Sequence, residues 1–235
     1  MSTASVHVLI PAAGTGARYG GATLKQYLPL CGKAVMAHSI NAFRFHPMIS
    51  SITVILAEND QFFESALGAL TSAVNTVTGG ETREHSVRNG LRYLAENYSE
   101  NDWALVHDAA RPCLSASRLE RFLEQGLASA SGAILAVPVG DTLKRGGDSQ
   151  EIIATVDRNG LWAAQTPQLF RIGALASAID AAHAAGCELT DEASAMEFVG
   201  VKPLLVMGSA ANIKITYSSD LAIAEALLAR NEVSS

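Results

Sequence analysis

Apolar runs of strand length at 6–10, 52–56, 103–107 and 133–137 are separated by segments of helical period near 35–45, 62–70, 83–94 and 119–128. That alternation restricts the chain more than any single residue does. Strands joined through a helix-length crossover run parallel, whereas an antiparallel pair needs only a tight turn. The expected fold is therefore α/β: a Rossmann-like, mostly parallel sheet with right-handed crossovers and helices on both faces. Ligands of such sheets sit beyond the carboxyl ends of the strands. With 235 residues, 49% of them apolar, the chain suffices for one substantial core and reads as one domain over 1–235.

After Val139 the rhythm changes. Residues 141–156 hold short polar and β-branched pieces around Gly146 and Gly147, the pattern of a hairpin projecting from the sheet. Gln165-Thr166-Pro167-Gln168 then returns the chain to the body, so the expected arm spans about 140–160. A further strand is read at 204–207, and helical period resumes at 172–185 and at 221–229, the latter with Ser219 or Asp220 as its cap.

Composition excludes several classes of function. A net charge of -6 argues against a nucleic-acid coat, which needs clustered Lys and Arg on one face. The cations sit instead beside glycines or strand ends, as Arg18, Lys25, Arg83, Arg111, Lys144, Arg158 and Lys214. Apolar stretches are too short to cross a bilayer and the start lacks the pattern of a secretory signal, so no membrane partner and a cytoplasmic location are expected. Cys31, Cys113 and Cys187 suit a reducing compartment, form no metal-ligand pattern and read as packing residues.

The first strand breaks into Pro11-Ala12-Ala13-Gly14-Thr15-Gly16-Ala17-Arg18, with Lys25-Gln26 beyond. Small residues and glycines after a strand bring bare backbone N–H groups up to a polyphosphate, and Arg18 and Lys25 add fixed charge. A dinucleotide fingerprint is excluded because Tyr19 stands where its third glycine belongs, and a Walker A loop because Gly20-Gly21-Ala22-Thr23 supplies no lysine. An ordinary glycine turn is the competing reading.

Four further clusters carry chemistry. In Gly79-Gly80-Glu81-Thr82-Arg83-Glu84-His85-Ser86 two glycines lead into a helix, placing Arg83 and Ser86 on one face near its start, where they can read the edge of a base or simply close a capping turn. In Val106-His107-Asp108-Ala109-Ala110-Arg111-Pro112 the carboxylate at the end of a buried strand suits magnesium shared with phosphate oxygens, or else caps a turn, while His107 points to the opposite face as a core residue. Thr142 and Lys144, with Asp157 and Arg158, mark the two ends of the arm, where solvated charge pairs are the plainer reading. Asp191 and Glu192 read as an N-cap and first-turn acid, whereas Lys214 lies in a β-branched run whose neighbours Ile213 and Ile215 should face the core.

Taken in order, Pro-Ala-Ala-Gly-x-Gly-x-Arg with Lys-Gln, Gly-Gly-Glu, Val-His-Asp-Ala-Ala-Arg-Pro, Thr-Val-Asp-Arg, Gln-Thr-Pro-Gln, Thr-Asp-Glu-Ala and Asn-Ile-Lys-Ile-Thr closely resemble the 2-C-methyl-D-erythritol 4-phosphate cytidylyltransferase family of the non-mevalonate isoprenoid pathway. The resemblance implies transfer of CMP from CTP to methylerythritol phosphate with release of diphosphate, a magnesium requirement, and a homodimer whose arms embrace. It implies that Arg18 and Lys25 stabilise charge at the α-phosphate, and that Pro11, Ala12, Ala13, Gly14, Gly16, Gly80, Glu81, Arg83 and Ser86 hold CTP. Asp108 would hold the metal, with Ala109 and Arg111 beside it. Arg158 and Lys214 would aim the substrate phosphate, with Thr142, Thr166 and Thr190 nearby. A relative acting on ribitol phosphate or another polyol phosphate is the alternative within the fold. A nucleotide-binding sensor is disfavoured by Lys25 and Asp108, and a dehydrogenase by the missing third glycine.

Overall fold

The structure, a computed structural model, describes residues 5–14 and 24–233. Its elements in chain order are β1 (Val6–Pro11), β2 (Pro29–Leu30), β3 (Lys33–Ala34), α1 (Val35–Arg44), β4 (Ile49–Leu56), α2 (Phe63–Leu67), β5 (Asn75–Thr78), α3 (Arg83–Asn97), β6 (Trp103–Val106) and α4 (Ala116–Ala128). They continue with β7 (Ala133–Pro138), β8 (Leu143–Gly146), β9 (Ile152–Val156), β10 (Trp162–Arg171), α5 (Ile172–Ala184), α6 (Glu192–Phe198), β11 (Leu204–Met207) and α7 (Ser219–Val233). Seven strands form one sheet in the order β11-β7-β10-β6-β1-β4-β5.

Side-chain alternation along the central strands divides the core. Val6, Val8, Ile10 and Leu105 bury one face against α1, α2 and α4, with Met36, Ile40, Phe43, Phe122 and Leu123. Leu9, Ala104 and Val106 face α3, α5 and α6, with Leu91, Leu94, Leu175, Ile179 and Met196. Helices on both faces are thus what the strand period and the helix period together require.

One strand departs from the parallel reading. β10 lies between β6 and β7 and pairs antiparallel with both. The cause is the arm: Pro138 pairs with Trp162 and the Val139 amide donates to the Leu161 carbonyl at 3.0 Å, so β7 and β10 are the legs of one long hairpin. A hairpin return runs antiparallel and needs no crossover helix. The β8–β9 ribbon is the elongated tip of that hairpin, pairing Leu143 with Val156 and Lys144 with Thr155. Between Ala164 and Gln168 the β10 ladder slips by two residues, and Gln165 and Thr166 leave the regular pairing there.

Other expectations need local correction. The helix read at 62–70 stops at Leu67, because Gly68 adopts a φ of 52° and the chain continues as a 3-10 turn, Gly68–Ala73. Helix α7 starts at Ser219, and Asp220 accepts the Thr216 and Tyr217 amides, both at 2.8 Å, tying the helix to the preceding loop. Cys113 is buried as a packing residue, but Cys31 and Cys187 are exposed.

Gly132, between α4 and β7, has a φ of 73°, and a Cβ there would lie 2.3 Å from the Leu169 carbonyl oxygen and 2.4 Å from the Phe170 ring. Backbone and a fully packed aromatic leave no room to yield. Gly132→Ala should therefore destabilise the protein by roughly 2–4 kcal/mol in urea unfolding. An unchanged midpoint would refute this account of the turn.

Candidate active site

The carboxyl ends of β1 and β6 open onto a cleft of about 360 Å³. It is lined by Pro11, Ala12, Ala13, Gly14, Lys25, Gln26, Gly80, Glu81, Thr82, Arg83, Ser86, Asp108, Ala109, Ala110 and Lys214. Twelve residues singled out by the sequence converge here from five separate stretches. Gly16 and Arg18 lie outside the described residues.

Small residues make the approach possible. Near the β1 end, the Gln26 side chain donates to the Ala12 carbonyl at 2.8 Å, fixing the loop after β1 against the segment that carries Lys25. Across the cleft, a Cβ on Gly79 would stand 2.6 Å from that of Ala13, and one on Gly80 2.5 Å from that of His85. Thr82 caps α3 by accepting the His85 amide at 3.1 Å. The Ser86 hydroxyl donates to the Thr82 carbonyl at 2.9 Å and accepts the Gly80 amide at 3.1 Å. The capping turn and the binding rim are therefore one structure, and Ser86 holds its shape.

Asp108 forms the floor. It is joined by Lys214 Nζ at 2.9 Å, by Arg83 at 3.3 Å and by Arg111 Nε at 3.3 Å. Burial works against the Asp108 charge, but Arg83, Lys214 and Arg111 outweigh it and hold the carboxyl far below the usual carboxylate range. Arg83 also binds Glu192 with both terminal nitrogens, at 2.7 and 3.1 Å. Burial disfavours the Arg83 charge too, yet Glu192 and then Asp108 raise its proton affinity. The sequence reading of Glu192 as a first-turn acid misses this role. Its place in α6 is right, but the side chain is buried, while Asp191 caps that helix in a capping box.

A second cavity of about 280 Å³ adjoins the first and shares Arg83, Asp108 and Lys214 with it. Arg111, Thr166 and Thr190 line it together with Ala164, Gln165, Gln168 and Asp191. The Asn212 side chain donates to the Thr166 carbonyl at 2.9 Å, and Gln165 donates to the Ser209 carbonyl at 2.9 Å. Lys214 lies in irregular chain and not in a strand. It is aimed by its neighbours: Ile215 is fully buried, its amide donates to the Ala110 carbonyl at 2.8 Å, and Ile213 packs partly against the same cluster. Gln26, Gln165 and Asn212 stood inside motifs already noted, but their amide side chains carry no charge or period that announces a role.

Arg158 and Thr142 join neither cavity. Both are exposed on the arm, and Arg158 donates to the Gly140 carbonyl. Among the described residues no group of three or more His, Cys, Asp or Glu is placed to hold a metal ion. No described helix is long and apolar enough to cross a membrane.

The model of the family described as 2-C-methyl-D-erythritol 4-phosphate cytidylyltransferase matches residues 6–230. The chain is 46% identical to the protein of that name from Chromobacterium violaceum, over 95% of this chain and 98% of the relative. The Dechloromonas aromatica protein of the same name is 45% identical over 94% and 96%. Among solved structures, a 4-diphosphocytidyl-2C-methyl-D-erythritol synthase superposes with a TM-score of 0.85 at 43% identity, over 96% of this chain and 99% of that one. The Francisella tularensis 2-C-methyl-D-erythritol 4-phosphate cytidylyltransferase gives 0.82 at 36% identity, over 95% and 99%.

Two buried imidazoles, His107 beside the floor and His7 near the start of β1, make the fold sensitive to acid. Burial lowers the His107 pKa from 6.5 to about 4, and burial also lowers that of His7 against the pull of Asp102. The folded protein therefore binds fewer protons than the unfolded chain between about pH 4 and 6.5, and stability rises with pH across that window. His107 alone would account for up to ~3 kcal/mol, present in full above pH 6.5 and lost on acidification. Urea unfolding at pH 7, 6 and 5 should show midpoints falling in that order, and a flat series would contradict it.

Proposed function

The chain belongs to the 2-C-methyl-D-erythritol 4-phosphate cytidylyltransferase family, and on that premise we propose that the larger cleft holds CTP and the adjoining cavity receives methylerythritol phosphate. The enzyme transfers CMP from CTP to that phosphate, releases diphosphate and forms 4-diphosphocytidyl-2-C-methyl-D-erythritol, in isoprenoid precursor biosynthesis. One observation carries the division of the site: Arg83, Asp108 and Lys214 line both cavities, so the seam between them is the most charged place in the cleft.

The chemistry asks for little else. A phosphate monoester is already largely ionised near neutral pH and needs no general base. The obstacle is repulsion, since two anions must meet and the α-phosphorus gathers charge on its equatorial oxygens. Arg83, Arg111 and Lys214 face Asp108 and Glu192, leaving one surplus positive charge at the seam, and Lys25 adds another at the cleft wall. Arg18 joins Lys25 at the α-phosphate in this reading, and Lys214 turns toward the incoming phosphate.

Magnesium fits the donor set only as a shared ion. Asp108 is a single ionised carboxylate facing the cleft, and this cation commonly takes its remaining ligands from phosphates and water. When bound, the ion supplies charge neutralisation on the polyphosphate. We further propose a cytoplasmic enzyme of one domain, acting as a homodimer through the arm at about 140–160. What supports the dimer is that Thr142 and Arg158 lie outside the cavities of their own chain, on a ribbon that also exposes Ile152 and Ile153.

Diphosphate release measured with each of the four NTPs, with and without methylerythritol phosphate, tests the activity. Only CTP with the polyol phosphate should give turnover, and ribitol phosphate as the better acceptor would overturn the assignment. Lys25→Ala should lower kcat by roughly a hundredfold or more while changing CTP affinity less. Normal turnover with weaker CTP binding would instead make Lys25 an affinity residue.

The shared site has its own test. Suppose Asp108→Asn and Arg158→Ala, each inactive, are mixed and allowed to exchange subunits. If Arg158 serves the neighbour's Asp108, each mixed dimer has one intact and one doubly damaged site, so random exchange restores roughly a quarter of wild-type sites. Exchange verified by mass-tagged chains without regained activity would place both residues in one chain's site or remove Arg158 from catalysis.

A further inference from the structure

The His107 ring is fully buried, edge-on to Phe43 at 5.0 Å between ring centres. Its Nε2 lies 3.1 Å from the Arg111 carbonyl oxygen and its Nδ1 3.2 Å from the Thr166 hydroxyl. A carbonyl cannot donate, so Nε2 carries a proton. No carboxylate bonds to the ring, and a buried imidazolium without one would be costly, so the ring is neutral and Nδ1 is bare. Thr166 must then donate its only proton to Nδ1. One of its two lone pairs accepts the Asp108 amide at 3.0 Å. What remains for a ligand is a single acceptor site on a residue that lines the second cavity.

We propose that His107 is a positioning residue that reserves the Thr166 hydroxyl for accepting, so that the second cavity takes a proton-donating group at this point, a polyol hydroxyl and not a phosphate oxygen. The inference rests on the reading of that cavity as the polyol-phosphate site, and it gives Thr166, expected near the substrate phosphate, a contact to a hydroxyl of the same substrate. An ionised phosphate oxygen has no proton to give, and set against a lone pair it would leave two acceptors face to face. The phosphate is left to the cations at the seam. The substrate is thereby oriented in the cavity, hydroxyl to Thr166 and phosphate to Lys214.

Two measurements test this on the intact enzyme. Nitrogen NMR of protein labelled at histidine should find His107 as the Nε2–H tautomer, both free and with substrate bound. In the second, each hydroxyl of methylerythritol phosphate is replaced singly by fluorine, which cannot donate. One analogue should show a KM at least tenfold above the parent on the wild-type enzyme, and Thr166→Val should cut that ratio to under about threefold, the non-additivity expected of groups in direct contact. Thr166→Ser, which keeps the hydroxyl, should restore it. An Nδ1–H tautomer or an imidazolium overturns the inference, as does a set of fluorine penalties indifferent to Thr166. Turnover of CTP with the unmodified polyol phosphate by the wild-type enzyme tests the underlying reading separately.

Discussion

The fold closes around one buried anion. Removing a carboxylate from water costs several kcal/mol unless opposite charge and hydrogen bonds replace the solvent. Asp108 obtains that charge from the first turn of α3, from the bend three residues beyond it and from the segment before α7. Three stretches distant in sequence are thus held at the end of β6 by a single side chain. Glu192 extends the cluster to α6, whose capped start holds the carboxylate that Arg83 grips with both terminal nitrogens. The arrangement is tolerable in the interior because its charges nearly cancel, and useful for catalysis because they do not cancel fully. Removing Arg83 would leave Glu192 buried without its cation, and removing Asp108 would take the shared anion from three cations at once, so stability and chemistry are coupled at these two positions.

The long β7–β10 hairpin solves a different problem. A parallel sheet needs a helix for every return, yet the second cavity requires irregular chain beside β6 to carry Gln165 and Thr166. Inserting an antiparallel strand brings that chain in directly, and the two-residue slip between Ala164 and Gln168 frees it from the ladder. The slipped segment is secured by Asn212 and Ser209 from the stretch after β11, which also leads to Lys214. The hairpin tip, having no core of its own, projects as the arm. One topological exception therefore accounts both for the second cavity and for the ribbon beyond it.

Much of this was legible before any coordinates. Strand and helix periods gave the two-faced sheet, since Val6, Val8 and Ile10 alternate with His7 and Leu9 as a central strand must. The glycine loop, Asp108 and Lys214 were found because small residues and isolated charges at strand ends are conspicuous against an apolar background. The direction of β10 was not, because periodicity is blind to strand polarity. Nor was the burial of Glu192, whose helix-start position had a sufficient local explanation in the dipole of α6. Cys31 and Cys187 misled for the opposite reason: a side chain usually buried says nothing about a turn that happens to expose it.

Hydrogen-bond direction is the property least visible in sequence, and it decides what the polar residues of this cleft can do. Ser86 and Thr166 both look like ligand-binding hydroxyls, yet each has its proton committed inside the protein, to the Thr82 carbonyl and to His107 respectively. Each also accepts a backbone amide, from Gly80 and from Asp108. A hydroxyl so engaged fixes the loop that other groups use and offers a ligand at most one lone pair. In the proposed reading, donation to anionic substrates falls chiefly to Lys25, Arg83, Arg111 and Lys214, groups that can only donate. On the proposed division of the site, cations serve the phosphates at the seam while Thr166 offers an acceptor in the second cavity, a distinction that rests on proton direction and not on residue type.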